Sequence, residues 1–160
     1  MSSFPSTVWN GQPVSFKECA QLQEERFYAV VTIVVWRELV LLAQIQGRGW
    51  SAPSGRVQPP ESPFDAARRE TYEETGGLLG ELRPLGCYTI GDPADAPMLV
   101  PLFTATLKRL DPIPDGFEST AVALVAPEEL PHTYYYWDPL LESVFALALG
   151  RLSPIPFSTA

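Results

Sequence analysis

Cysteine, histidine and basic side chains are all scarce in this 160-residue chain, and each shortage closes a route. Cys19 and Cys87 are too few for a disulfide framework and lack the paired spacing of a zinc site, so a reducing compartment is the default setting. Eleven Lys and Arg stand against 19 Asp and Glu, a formal net charge of −8. That sign disfavours nucleic-acid polymers and anionic membranes, which are held by basic patches. A polyphosphate remains open to an acidic protein if metal ions mediate. His132 is the sole histidine and reads as a loop residue ahead of a catalytic base. The apolar run from Tyr28 to Trp36 falls far short of the roughly 20 residues that span a bilayer. The opening residues, MSSFPSTVWNGQP, lack a basic segment followed by an apolar run, so no secretory signal is expected. Together these predict a soluble cytoplasmic protein, monomer or homodimer, without repeats or heptads.

What the chain does have is an ordinary apolar content, 46%, and 17 prolines, which imply one domain with a loop-rich surface. The reading is a single domain over 1–160: a core of about 26–150, a polar N-terminal segment 1–25 that is irregular or an edge, and a tail 151–160. The β-branched and aromatic run RFYAVVTIVVW, then LVLLAQIQ after Arg37-Glu38, predicts a hairpin in a buried sheet. A long shaped loop, GRGWSAPSGRVQPPESPFD, follows. Ser62 as N-cap, Pro63 at the first helical position and Gly76 past the end predict a helix over 63–75. Strands are predicted at 83–90, 98–107 and 120–125, and a final helix over 137–150. Strands around a central helix, with a second helix at the end, suggest a mixed sheet with helices on both faces, an α/β/α sandwich.

The predicted helix carries RRETYEETGG, with Glu70, Glu73 and Glu74 within five residues. At about 100° per residue, these three share one face. On a solvated face like charges cost only a few tenths of a kcal/mol. In a cleft, two carboxylates about 6 Å apart at an effective dielectric near 20 repel by roughly 3 kcal/mol. A hard divalent cation relieves that best, because Mg²⁺ takes carboxylates together with a substrate's phosphates.

Upstream, Gly55 and Glu61 complete a fixed pattern: Gly55, five residues, Glu61, seven residues, Arg69-Glu70, two residues, Glu73-Glu74, then Thr75-Gly76. Seven fixed letters would coincide by chance in a chain this long less than about once in a million. The pattern resembles the Nudix box, G-x5-E-x7-R-E-U-x-E-E-x-G-U. Thr71 and Gly77 stand where the family carries aliphatic residues, which puts the packing of the helix in question more than its chemistry. Leu78 and Leu79 are available for the second hole.

The resemblance implies the Nudix fold over residues 26–150 and hydrolysis of a nucleoside diphosphate linked to X. It implies Mg²⁺ or Mn²⁺ held by Glu70, Glu73 and Glu74, with the backbone carbonyl of Ser54 joining them. One glutamate would also take the proton of the attacking water. Arg69 would pair with Glu61, tying loop to helix, and Glu61 reads either as an orienting residue or as a partial ligand. Glu118 is a candidate outside the box, by analogy with the MutT-type branch, or else a solvated loop acid.

Substrate choice lies in loops. Arg48 and Trp50, in the run leading to the box, and Tyr134 and Tyr135, in HTYYYW, are the substrate-binding candidates. The aromatic run can stack on a base or simply anchor the last helix. Trp50 and Phe27 likewise line a cleft or belong to the core. The resemblance is greatest to MutT-type nucleoside triphosphate pyrophosphohydrolases, which implies a small nucleotide substrate, canonical or oxidised. ADP-ribose or another dinucleotide or nucleotide-sugar derivative is the alternative, and a non-catalytic ligand-binding module the third.

Overall fold

A computed structural model describes residues 3–23 and 26–152. Among them the chain forms strands β1 (Thr7–Trp9), β2 (Gln12–Glu18), β3 (Ala29–Trp36), β4 (Leu39–Ile45), β5 (Gly49–Ser51) and β6 (Ser54–Arg56), then helix α1 (Pro63–Thr75). Strands β7 (Gly77–Leu79), β8 (Arg83–Ile90), β9 (Met98–Leu110) and β10 (Ser119–Val125) follow, and then a short helical turn α2 (Leu130–Thr133) and helix α3 (Pro139–Leu152). No described helix is long and apolar enough to cross a membrane.

The main sheet runs β1-β2-β8-β9-β3-β4-β10, with β5 beside β4, β6 beside β3 and β7 beside β9. It is mixed: β3 and β9 are parallel, Val31 opposite Leu102 through Val35 opposite Thr106, and the other pairs are antiparallel. Alternation along β3 and β4 divides the core between the two faces. Val30, Val34 and Leu41 pack with Ala66 and Ala67 of α1. Ile33, Val35, Val40 and Leu42 pack with Leu140, Leu141, Val144 and Phe145 of α3. This is the expected α/β/α sandwich with a mixed central sheet.

Helix α1 has the predicted bounds because its signals are local. Ser62 Oγ accepts from Asp65 N at 3.0 Å, Pro63 opens the first turn, and Gly76 adopts φ 76° and donates to Tyr72 O at 2.8 Å. The two departures from the aliphatic pattern are resolved by hydrogen bonds. Thr71, fully buried, donates its hydroxyl to Ala67 O at 2.7 Å. Thr75 Oγ1 donates to Thr71 O at 2.6 Å and accepts from Gly77 N at 2.9 Å. A side chain at Gly77 would meet Leu107 and Leu41, and the buried Leu79 takes the aliphatic role instead.

Three expectations need adjustment. The N-terminal segment contains an edge hairpin: Asn10 and Gly11, at φ 50° and 77°, turn between Trp9 and Gln12, and β2 then pairs with β8 from Val14 opposite Ile90 to Glu18 opposite Gly86. The long loop after β4 is partly extended, because β4 and β3 supply the hydrogen-bonding partners of β5 and β6. Gly150 does not end the last helix, which runs on to Leu152 and starts after Asp138 caps it. The tail residues 153–160 lie outside the described residues.

Candidate active site

The β5–β6 segment lies across the glutamate face of α1. Ser54 N donates to Glu74 Oε1 at 2.8 Å, so backbone and helix are joined at the last of the three glutamate metal-ligand candidates. Gly55 lies so near Glu70 that a Cβ built on it would come within 2.1 Å of the Glu70 carboxylate carbon, a clash. The spacing of Gly55 to Glu70 in the sequence thus corresponds to a close approach that only glycine permits.

Arg69 is the clamp. Its Nε and one terminal nitrogen reach both oxygens of Glu61, at 3.0 and 2.7 Å, a bidentate pair, and the latter nitrogen also donates to Arg56 O at 3.0 Å. Glu61 in turn accepts from Gln58 N at 2.7 Å. This is the expected tie of loop to helix, and the Arg69 guanidinium beside Glu61 holds that carboxyl below the usual carboxylate range. The pairing of Arg69 extends beyond Glu61. Its other nitrogen reaches Glu70 Oε1 at 2.9 Å and Glu73 Oε2 at 3.1 Å, since a long flexible stem can lean across the helix.

One guanidinium therefore serves Glu61, Glu70 and Glu73, with Glu74 beyond it. Burial pushes the Glu70 carboxyl up, partly countered by Arg69. Burial pushes Glu74 up to about 7; the Ser54 amide opposes this, the Glu70 charge adds to it, Arg48 opposes it and Glu118 adds to it. Exposed Glu118, whose backbone carbonyl accepts from Gln46 N at 2.9 Å, is thus within electrostatic reach of the cluster. The donors are all hard oxygens, half-buried and short of positive charge, which fits a divalent cation. Among the described residues no three ligating side chains already close on one point, since Glu73 lies under Arg69 and Glu74 under the Ser54 amide.

Ser54 and Gly55 also border a cavity of about 1030 Å³ on the α3 side of the sheet. Its walls include Val31, Ile33, Val100, Leu102, Leu141 and Phe145, with Tyr28, Tyr88 and Trp9. Among the described lining residues Arg48 and Arg56 alone carry a formal charge. Arg56 lies over the Tyr28 ring at 3.9 Å and donates to its hydroxyl at 3.1 Å, and Arg48 lies 5.8 Å from the Tyr135 ring centre.

The aromatic run divides its labour. Tyr134 packs on Trp137 and Phe145, at 5.7 and 5.5 Å between ring centres, and its hydroxyl accepts from Ala52 N at 3.0 Å. Burial pushes that phenol's pKa up. Tyr135 stacks on Tyr134 at 5.6 Å and is 53% exposed at the cavity. Trp50 is a core neighbour whose carbonyl accepts from Tyr135 N at 2.8 Å; it, Phe27 and exposed His132 are not among the lining residues. Sequence reasoning passed over Trp9, Gln12, Tyr28 and Arg56. The Asn10-Gly11 pair was the available signal for the first two, being a strong hairpin-turn dipeptide.

Comparison with known proteins gives four findings. The family profile described as NUDIX domain matches residues 26–144. A Bacillus subtilis (strain 168) protein, YtkD, named provisionally as an 8-oxo-dGTP diphosphatase, is 30% identical over 114 residues, which is 70% of this chain and 72% of that protein. A shorter match, 46% identical over 43 residues, covers 24% of this chain and 25% of an RNA pyrophosphohydrolase from Bartonella bacilliformis. Among solved structures, the Bacillus subtilis pyrophosphohydrolase BsRppH in a mutant form has a TM-score of 0.75 at 24% identity, over 92% of this chain and 95% of that one, a likeness of fold.

Proposed function

This chain belongs to the NUDIX domain family of pyrophosphohydrolases, and from that premise we propose that it hydrolyses nucleoside triphosphates, canonical or oxidised, to the monophosphate and pyrophosphate. The observation that carries this reading is the continuity of two compartments. The cavity has aromatic and apolar walls suited to a nucleoside, and two of the residues that border it, Ser54 and Gly55, lie against Glu74 and Glu70. The relative named for 8-oxo-dGTP supports the triphosphate over a nucleotide sugar.

Glu70, Glu73 and Glu74, with the Ser54 carbonyl, would hold Mg²⁺ or Mn²⁺. When bound, such an ion offsets phosphate charge and makes a nucleophile available at neutral pH. The chain's own residues do the rest. Arg69 and Glu61 fix the β6 loop against α1, so that the carboxylates keep their places. Arg48 and Arg56 supply positive charge to the phosphates that lie toward the cavity. A carboxylate of the cluster, or Glu118 from outside, takes the proton of the water that attacks phosphorus. Tyr135 offers its exposed ring to the base.

A panel at equal concentrations tests this: canonical and oxidised dNTPs and NTPs, ADP-ribose, dinucleoside polyphosphates and a 5′-triphosphorylated RNA oligonucleotide, each with Mg²⁺ and with chelator. The expected result is Mg²⁺-dependent pyrophosphate release, with the highest kcat/KM for a mononucleoside triphosphate. Preference for ADP-ribose, or for the RNA end announced by the shorter match, would replace the triphosphate reading. Tyr135→Ala is expected to raise KM about tenfold, from the 1–3 kcal/mol typical of one base stacking on one ring. An unchanged KM in steady-state kinetics would remove Tyr135 from the base subsite.

A further inference from the structure

One wall of the cavity comes from the far end of the chain. Trp9, Asn10 and Gln12 of the β1–β2 hairpin line it, and Tyr134, Tyr135 and Tyr136 stand among the other lining residues. A single side chain ties these walls together. Asp138, 8% exposed, accepts from Trp9 Nε1 at 2.8 Å and from Thr7 Oγ1 at 3.1 Å through one carboxylate oxygen. Its other oxygen accepts from Leu141 N at 2.8 Å, in the first turn of α3. A carboxylate is favoured there by the free amides and the positive end of the helix dipole. Trp9 is further fixed by its edge contact with Tyr88, at 5.1 Å.

Each wall is held in the fold by other means. Strand β2 pairs with β8 at five positions and buries Val14 and Phe16. Helix α3 buries Leu140, Val144 and Ala148 completely. Losing the link would leave both elements folded and free only the distance between them. We infer that Asp138 is a positioning residue for substrate: by latching Trp9 to the start of α3 it sets the width of the cavity, and so makes the N-terminal hairpin the recognition wall for the nucleoside end of the substrate. Trp9 offers a flat ring, and the carboxamides of Asn10 and Gln12 offer a donor and an acceptor each, the groups that read a heterocycle's edge. This inference rests on the nucleotide reading above.

The test uses the full chain with Trp9→Phe, which keeps a ring and removes the donor, and Asp138→Asn, which keeps a capping acceptor for Leu141 N. Three quantities are measured: KM and kcat for the preferred triphosphate, the dissociation constant of the nucleoside monophosphate in chelator, and inhibition by inorganic pyrophosphate. Both variants are expected to raise KM and the monophosphate dissociation constant about tenfold, with kcat falling less than threefold and pyrophosphate inhibition shifting less than twofold. The double variant should be no worse than the poorer single one, since both break one link. KM within twofold of the parent in both variants, or a pyrophosphate constant that rises in step with KM, would overturn the inference. If Asp138→Asn fails to fold, Trp9→Phe alone decides. The nucleotide reading stands or falls separately, on whether the parent protein with Mg²⁺ prefers a mononucleoside triphosphate to ADP-ribose and to the RNA end.

Discussion

Glu73→Gln and Glu74→Gln are each expected to lower kcat/KM by roughly 10²- to 10⁴-fold, the range for losing a group that handles a proton or charge in the transition state. Both keep the shape of the side chain, so the loss should be chemical. Glu74 allows a sharper statement, because stability should move the opposite way. In chelator its carboxyl lies near 7 against an ordinary 4.5, chiefly through burial. An acid whose folded pKa is raised binds more protons folded than unfolded, so stability is full below about 4.5 and falls as pH climbs to about 7. Glutamine keeps an acceptor for the Ser54 amide and removes the charge that burial disfavours. Urea denaturation in chelator should therefore find Glu74→Gln more stable than the parent at pH 8, by about 1–3 kcal/mol, and less so at pH 5. A variant less stable than the parent at pH 8 would show that the Glu74 charge is compensated in the folded protein and is not a strained ligand awaiting a cation.

The carboxylates Glu70, Glu73 and Glu74 were legible in the sequence because all three sit on one helix whose ends are set by local signals at Ser62, Pro63 and Gly76. The same locality made β8 readable from its composition. Strands β5 and β6 were not, since Gly49–Ser51 and Ser54–Arg56 are extended only because β4 and β3 offer them partners. The β1–β2 hairpin did announce itself through Asn10-Gly11, and Val14 and Phe16 are its two buried residues at period two. A polar average over 1–25 hid that alternation. The cavity was the least legible feature. Trp9 and Tyr135 share it only after a sheet has brought together residues more than a hundred positions apart, and nothing local to either records the other. Spacing could assign Tyr134 and Tyr135 to one run, yet it could not tell the ring that anchors α3 from the one left exposed.

The two glycines of the box should respond to alanine in opposite ways, and the contrast tests the site's geometry without touching a charge. At Gly55, φ is outside the left-handed region, so the backbone of β6 accepts alanine and the unfolded chain loses some freedom. What the methyl group meets is the Glu70 carboxylate. Gly55→Ala should therefore change stability by less than about 1 kcal/mol, the scale of a tolerated glycine replacement. Its kcat/KM should nevertheless fall about 10²-fold, the usual consequence of moving a catalytic group by an ångström. At Gly76 the reverse holds: φ is 76°, and a Cβ would run into the Asp111 carbonyl oxygen. Gly76→Ala should lower stability by roughly 2 kcal/mol or more, from left-handed strain and the clash together. Its activity loss should track the fraction of chain unfolded in a denaturation curve on the same preparation. If instead Gly55→Ala retained full kcat/KM with Mg²⁺, the close approach of Glu70 to the β6 backbone would be irrelevant to turnover, and Glu70 would leave the set of proposed ligands.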